Sequence, residues 1–138
     1  MFNPSSDLTV MQKIAVADSE ILKLLELTGK TNPEIVKKII RESRWSDLAT
    51  NERRLCLFFP PSRKTSNDSF VREVVEFDCH VPANYGYFAY QVQERLYELF
   101  HNQRFNNRIL YFDGQLGELP TMSGFFCCGS RFVFNRKI

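Results

Sequence analysis

The stretch SFVREVVEFDCHVPANYGYFAYQVQERLYELF, residues 69–100, decides the fold because a strand pattern passes directly into a helix pattern. In its first half Val75, Phe77 and Cys79 alternate with polar residues, as expected for a strand with one apolar face. Its second half predicts a helix over residues 85–101 with one apolar stripe. The residues of that stripe recur at helical spacing: Tyr85, Phe88, Ala89, Val92, Leu96, Leu99 and Phe100.

Further strand patterns flank this stretch on both sides. One precedes it at residues 55–59, and two follow it at residues 108–112 and 125–134. The order strand–strand–helix–strand–strand predicts an α+β fold. We expect a four-stranded, mainly antiparallel sheet (β-β-α-β-β) with the long helix packed on one face. The whole chain, residues 1–138, is predicted to be a single domain, with the sheet and helix at residues 55–134.

The N-terminal segment, residues 1–50, carries helix-start signals. Asp7 or Ser6 is suited to cap a first helix, and Asp18 a second. The run from Asn32 predicts a third helix, because a capping residue, a proline and an acid occur in order. Ile35, Val36, Ile39 and Ile40 would form its apolar side. Residues 42–54 are predicted to connect it to the sheet, with Trp45 packed against the sheet.

Composition limits the classes of function. The formal net charge of +2 is too small to indicate nucleic-acid binding by itself, and no apolar run is long enough for a membrane span. The N-terminal sequence shows no secretion signal, which predicts synthesis in a reducing cytoplasm. All four cysteines lie in strand patterns and are expected to be buried thiols without disulfides: Cys56, Cys79, Cys127 and Cys128.

No catalytic or metal-binding constellation is apparent in the sequence. Cys79 and His80 are adjacent and would point to opposite faces of a strand, so they cannot easily converge on a zinc ion. Acids such as Asp78 and Asp113 are expected to be solvated or paired with arginines. No glycine-rich nucleotide-binding loop is present. The sequence therefore predicts a protein that is not an enzyme and has no cofactor.

Nucleic-acid binding remains an alternative. Single-strand binders expose aromatic residues on a basic surface, and here Tyr85, Tyr87, Tyr90 and Tyr97 surround the helix. Arg63, Lys64, Arg131, Arg136 and Lys137 are available for phosphates. The aromatic residues alternate as core residues do, however, so we expect them to pack in the interior. The alternative function is a small nucleic-acid-binding protein that uses a basic loop and a sheet face.

Five segments together resemble a known family. They are CLFFPP (56–61), SFVREVVEFDCHVP (69–82), YGYFAYQVQERLYELF (85–100), RILYFDGQLGELP (108–120) and GFFCCGSRFVFN (124–135). In length, element order and a strand near the C-terminus, the chain resembles the tail-completion proteins of bacteriophages and prophages, also called tail terminators or head–tail joining proteins. The likeness lies in element order and general character.

This resemblance implies a structural protein of the virion neck, made in the bacterial host cytoplasm. Members form a ring, usually of six copies, that stops tail polymerisation, contacts tail-tube and head-completion proteins and passes double-stranded DNA without reading its sequence. By position, the loops at residues 62–69 and 114–124 are candidates for subunit contacts or for the lumen. The candidate interface or lumen residues are Arg63, Lys64, Arg72 and Arg131.

Overall fold

The computed structural model describes residues 4–44, 46–60, 63–64 and 70–137, so the predicted packing of Trp45 lies outside the described residues. Helices are α1 (Pro4–Val16), α2 (Ser19–Leu24), α3 (Asn32–Ile35) and α4 (Gly86–Phe100), and a 3₁₀ turn, Ala83–Tyr85, leads into α4. Strands are β1 (Ile39–Ile40), β2 (Arg54–Phe58), β3 (Arg63–Lys64), β4 (Phe70–Pro82), β5 (Gln103–Phe105), β6 (Arg108–Leu119) and β7 (Phe125–Lys137).

The architecture is α+β, with one mixed, curled sheet that forms a half-barrel. Its six principal strands run in the order β1-β2-β4-β7-β6-β5, and β3 pairs with the start of β4. β1 runs parallel to β2, and the other pairs are antiparallel. The predicted β-β-α-β-β core is present as β2, β4, α4, β6 and β7. The prediction of four strands was wrong, because three short strands extend that core.

Two of these additional strands have a clear local cause. The predicted third helix ends at Ile35, and Ile39 and Ile40 instead pair with Leu55 and Cys56. β-branched residues fit the pleated surface of a sheet well, and here the sheet buries both. β5 forms a tight hairpin with β6, in which Asn106 and Asn107 both have positive φ, as a two-residue type I′ turn requires.

Helix α4 lies against one side of the sheet, which we call the helix-facing side. On β4 this side carries Val75, Phe77, Cys79 and Val81, all fully buried. Phe77 stacks on Phe100 of α4 with ring centroids 5.2 Å apart and meets Phe132 of β7 edge-on at 5.5 Å. The predicted helix is confirmed to within one residue at each end. Its predicted stripe is correct at Ala89, Val92, Leu96 and Phe100, which are buried, and wrong at Tyr85, which is exposed.

Strand β6 is longer than predicted and bulged. The segment predicted as a loop at residues 114–124 belongs to β6 as far as Leu119. Register shifts against β7 occur between Phe112 and Gly114 and between Gln115 and Gly117. Gly117 has φ 72°, a conformation that only glycine adopts without strain. Bulges increase local twist, which accounts for the curl of the sheet at this end.

The N-terminal helices are fixed to the sheet and to α4 by ion pairs. Asp7 is buried in the first turn of α1, where its carboxylate accepts hydrogen bonds from Arg108 (2.9 Å) and Asn106 (2.8 Å). Asp18 caps α2 as predicted, since it accepts the Ile21 N–H at 3.0 Å, and it also pairs with Arg95 of α4 at 2.7 Å. That arginine lowers the pKa of Asp18 below its usual value.

One polar side chain connects α4 to the centre of the sheet. The fully buried Gln93 donates from Nε2 to the carbonyl oxygens of Phe77 and Cys128, at 3.1 Å each. Its Oε1 accepts a hydrogen bond from the hydroxyl of Ser130, which is also buried. Because these partners lie on β4 and β7, Gln93 sets the position of the helix along both strands.

Candidate functional site

The four basic residues predicted to lie at an interface or lumen do not form one cluster. Arg63 and Lys64 belong to β3, paired with Arg72 and Val71 of β4, so they are not part of a loop as predicted. Arg72 forms an exposed ion pair with Asp113 at 2.8 Å. Arg131 donates from Nε to Glu76 at 2.9 Å. Both arginines are therefore neutralised in part by acids of the same sheet, while residues 62 and 65–69 lie outside the described residues.

The side of the sheet opposite α4, which we call the outer side, carries a buried row of polar residues. The sequence predicts that Asp78 is solvated or paired with an arginine, and this prediction was wrong, since Asp78 is buried together with Glu76 and His80. By register, Cys56 lies beside Asp78 on β2, and Cys127 lies beside His80 on β7. We call the set Cys56, Glu76, Asp78, His80 and Cys127 the buried polar row.

Segments distant in sequence cover this row. The carbonyl oxygen of Arg44 accepts from the Cys56 thiol at 3.3 Å, and that of Ser46 accepts from Arg54 at 2.8 Å. On the other side, Leu116 and Leu119 of β6 approach Gly129 of β7. The connector before β2 and the bulged β6 therefore close the outer side over its polar residues.

Asp78 is the most perturbed acid of the row. Its side chain is 9% exposed, and its Oδ1 has no hydrogen-bond partner among the described residues. Burial, and then the hydrogen bond with Glu76 and its charge, raise the pKa of Asp78 to about 8. We infer that Asp78 carries its proton at neutral pH and donates it in the hydrogen bond to Glu76, which in turn accepts from Arg131.

His80 and Cys127 form a contact that the sequence did not indicate. His80 Nε2 lies 3.7 Å from the Cys127 sulfur, and its Nδ1 lies 3.0 Å from the Thr121 hydroxyl. This order resembles a cysteine–histidine dyad, yet burial lowers the pKa of His80 to about 4 and raises the pKa of Cys127. Both groups are therefore neutral, whereas a nucleophile needs the thiolate.

Within the described part of the chain, no group of three His, Cys, Asp or Glu side chains is arranged to hold a metal ion. His80 and Cys79 do lie on opposite sides of β4, as the sequence predicted. The four cysteines are buried free thiols, and burial raises the pKa of Cys56 to about 11. No described helix has the length and apolar character needed to cross a membrane.

A cleft of about 370 Å³ lies between the α2–α3 region and the connector before β2. Two of its cations are already engaged, since Lys38 pairs with Glu52 at 2.6 Å and Arg53 with Glu26 at 3.0 Å. The guanidinium of Arg53 also lies 4.4 Å from the ring centre of Phe88. Lys30, Lys37 and Glu34 also line the cleft, which therefore carries charges of both signs and does not resemble a site for a ligand of one charge sign.

Exposed aromatic residues follow one side of α4. Tyr85, Tyr87, Tyr90 and Tyr97 are 42–58% exposed, so the prediction that they pack in the interior was wrong. Tyr90 contacts Phe126 of β7 at 5.5 Å, and Tyr97 contacts Phe112 of β6 at 5.1 Å between ring centres. His101 stacks on Tyr97 and accepts the Phe112 N–H at 3.0 Å. We call Tyr90, Tyr97, His101, Phe112 and Phe126 the aromatic strip.

The aromatic strip borders an open edge of the sheet. β5 pairs with β6 only at residues 108–110. Next to it, His101 and Asn102 at the C-terminal end of α4 form hydrogen bonds with the backbone of Phe112 and Leu110. In the described parts of the chain, no strand pairs with residues 113–119 of β6 on the edge that faces away from β7. An unpaired edge presents backbone donors and acceptors to another chain. This edge and the aromatic strip together form the candidate functional site.

Comparison with known proteins gives no relative: the sequence matches no protein-family model and none of the curated proteins.

The outer side of the sheet also explains why a glycine follows the two adjacent cysteines. A Cβ at Gly129 would lie 2.5 Å from Asp78 Oδ1 and 2.8 Å from Leu119 Cδ1. We predict that Gly129→Ala lowers the free energy of unfolding by about 1–3 kcal/mol, because the added methyl group overpacks this contact. Urea unfolding measures the change. The exposed Gly29→Ala is unsuited as a control because its φ is 80°, whereas Ser123→Ala is exposed and should be near neutral.

Proposed function

We propose that this chain is a non-enzymatic structural protein of a phage or prophage neck, which forms a ring that terminates the tail and joins it to the head. The resemblance of its five segments to tail-completion proteins supports the phage assignment. The observation that carries the proposal is the open edge of β6 beside exposed tyrosines. Tyrosine is enriched at protein interfaces, and unpaired sheet edges favour association with further chains.

The proposed assembly has six copies and is part of the virion, after synthesis in the host cytoplasm. Its partners would be tail-tube and head-completion proteins, with double-stranded DNA passing through the lumen. Ring closure needs a heterologous contact, in which one patch of a subunit meets a different patch of its neighbour. The aromatic strip and the open edge are suited to be one of these two patches.

The lumen assignment has uneven support among the candidate residues. Arg72 and Arg131 are paired with Asp113 and Glu76, which weakens the field that they offer to phosphates. Arg63 and Lys64 stay candidates by position, because β3 pairs with the start of β4. The same ion pairs lend little support to the alternative of a nucleic-acid-binding protein, since its proposed sheet surface carries acids beside the bases.

We expect the purified chain to assemble as its concentration rises, because the proposed contact joins identical subunits. Sedimentation velocity and light scattering over a wide concentration range measure this, and electron microscopy shows whether the products are closed rings. Adding the chain to purified tail tubes should stop their elongation. A chain that stays monomeric at every concentration and leaves tube growth unchanged contradicts the proposal.

A further inference from the structure

We propose that the aromatic strip, together with Glu94 and Glu118 beside it, binds the segment of a second copy of this chain that carries Lys30, Val36 and Lys37. This inference rests on the ring proposed above and names the two surfaces that meet in it. Three observations support it: acids at the strip that form no ion pair among the described residues, an exposed apolar residue with two exposed lysines near it in sequence on the other surface, and the different positions of the two surfaces in the fold.

Two acids beside the strip, Glu94 and Glu118, form no ion pair with any residue that the structure describes. Glu94 lies on α4 between Tyr90 and Tyr97 at helical spacing, and it is exposed. Glu118 is exposed on β6, where it pairs in register with Cys128 and therefore lies on the helix-facing side, as Phe126 does. Among the described residues neither carboxylate forms an ion pair, in contrast to Glu98, which pairs with Arg95 at 2.8 Å. The strip is thus an apolar surface with a negative border.

The complementary surface surrounds α3. Val36 is 44% exposed directly after this helix, an uncommon position for a β-branched apolar residue. Lys30 and Lys37 are exposed and, within the described ranges, form no ion pair. Glu34 lies near both lysines: its carboxylate accepts the Thr31 N–H at 3.0 Å in the capping box and also interacts with the charges of Lys30 and Lys37, so two cations against one acid leave this surface net positive. An apolar residue bordered by two cations matches the chemistry of the strip.

The two surfaces belong to different parts of the fold, and we place their contact between two copies of the chain. The strip lies at the β6 and β7 part of the sheet, whereas α3 leads directly into β1 at the opposite end of the strand order. A contact between them therefore joins the two ends of different subunits. Such a head-to-tail contact leaves one surface of each kind free, so that further copies add until the ring closes.

Two charge-reversed variants test the pairing. One carries Glu94→Lys with Glu118→Lys, and the other carries Lys30→Glu with Lys37→Glu. Each variant alone would place like charges opposite each other, so we expect assembly to weaken at least about tenfold. In an equal mixture, the altered strip of the first variant can bind the altered α3 segment of the second, because their charges are opposite. The mixture should therefore assemble as the unaltered chain does. Lys13→Glu, an exposed reversal on α1 outside both surfaces, is the control and should leave assembly unchanged.

Circular dichroism melting confirms that each variant is folded, and sedimentation velocity measures assembly at low and high salt. Because salt screens exposed charges, the effect of each reversal should shrink at high salt. If the unaltered chain assembles and both variants assemble equally well, or if mixing them restores nothing, the proposed pairing is wrong while the ring itself stands. If the unaltered chain remains monomeric, the ring proposal fails and this inference fails with it.

Discussion

Gln93→Leu is expected to lower the free energy of unfolding by about 2–4 kcal/mol, although leucine is apolar and similar in size. The substitution removes three hydrogen bonds at once, two to the carbonyl oxygens of Phe77 and Cys128 and one from Ser130. Each buried group left without a partner costs about 1–3 kcal/mol, and part of this is offset by the burial of the apolar side chain. Urea unfolding followed by fluorescence measures the difference.

Controls separate loss of the network from a general effect on α4. Gln91→Leu lies two residues away on the exposed side and should change stability by no more than about 0.5 kcal/mol. Ser130→Ala removes one member of the network, and combining it with Gln93→Leu should cost less than the sum of the two single changes. Additive effects, or a Gln93→Leu protein as stable as the unaltered chain, would show that the amide does not hold α4 on the sheet.

Asp78→Asn is expected to stabilise the protein at alkaline pH, by about 2 kcal/mol or more at pH 8.5. Burial and Glu76 raise the pKa of Asp78 to about 8, whereas in the unfolded chain an aspartate titrates near pH 4. The asparagine amide can donate to Glu76 as the protonated acid does, without a proton to lose. Denaturant titrations of both proteins from pH 4 to pH 9 measure the difference.

The sign of the pH dependence follows from two opposed groups. Between pH 4 and pH 8 the folded state holds a proton on Asp78 that the unfolded state releases, so stability falls as pH rises through this window. His80 acts in the opposite direction, because its pKa of about 4 in the fold lies below its unfolded value, and its contribution is lost as pH falls from about 6.5 to about 4. Stability should therefore be nearly level from pH 4 to 6.5 and decline towards pH 8.

The decline between pH 6.5 and pH 8 should disappear in the Asp78→Asn protein. The other charged groups that face the row are Glu76, Arg131 and Arg54, and all three are unchanged in this variant. Asp113→Asn is the matched control, because this acid is exposed and pairs with Arg72. It should retain the decline. An Asp78→Asn protein with the same pH profile as the unaltered chain would mean that Asp78 is ionised in the fold at neutral pH.

The elements that the sequence predicted correctly are those specified by neighbouring residues. The periodicity of α4 and the alternation of β4 are local patterns, and both elements form where expected. The Asp18 cap also depends on residues that lie close together in sequence. Ile39 and Ile40 were assigned to a helix because their spacing fits one, and only their parallel pairing with β2 makes them a strand.

The buried polar row could not be predicted from alternation. That pattern predicts which residues share a face, and it correctly placed Glu76, Asp78 and His80 together. Whether that face meets water depends on Leu116, Leu119 and the connector near Arg44, which are distant in sequence. The same limit applies to the candidate site. The aromatic character of the tyrosines of α4 suits a core, and their spacing alone does not specify that they are exposed.

The pairing of β4 with β7 has a consequence for the nascent chain. Thirteen residues of the central strand β4 find their partner in β7, which leaves the ribosome only after α4, β5 and β6. Until β7 has been made, the edge of β4 that will face it has no neighbouring strand. Gln93 likewise lacks its hydrogen-bond partners on β7. Contacts between segments so far apart form slowly. The sheet is therefore completed only after β7 has been synthesised, and products truncated before β7 expose an unpaired edge of β4 that quality-control proteases and chaperones can recognise.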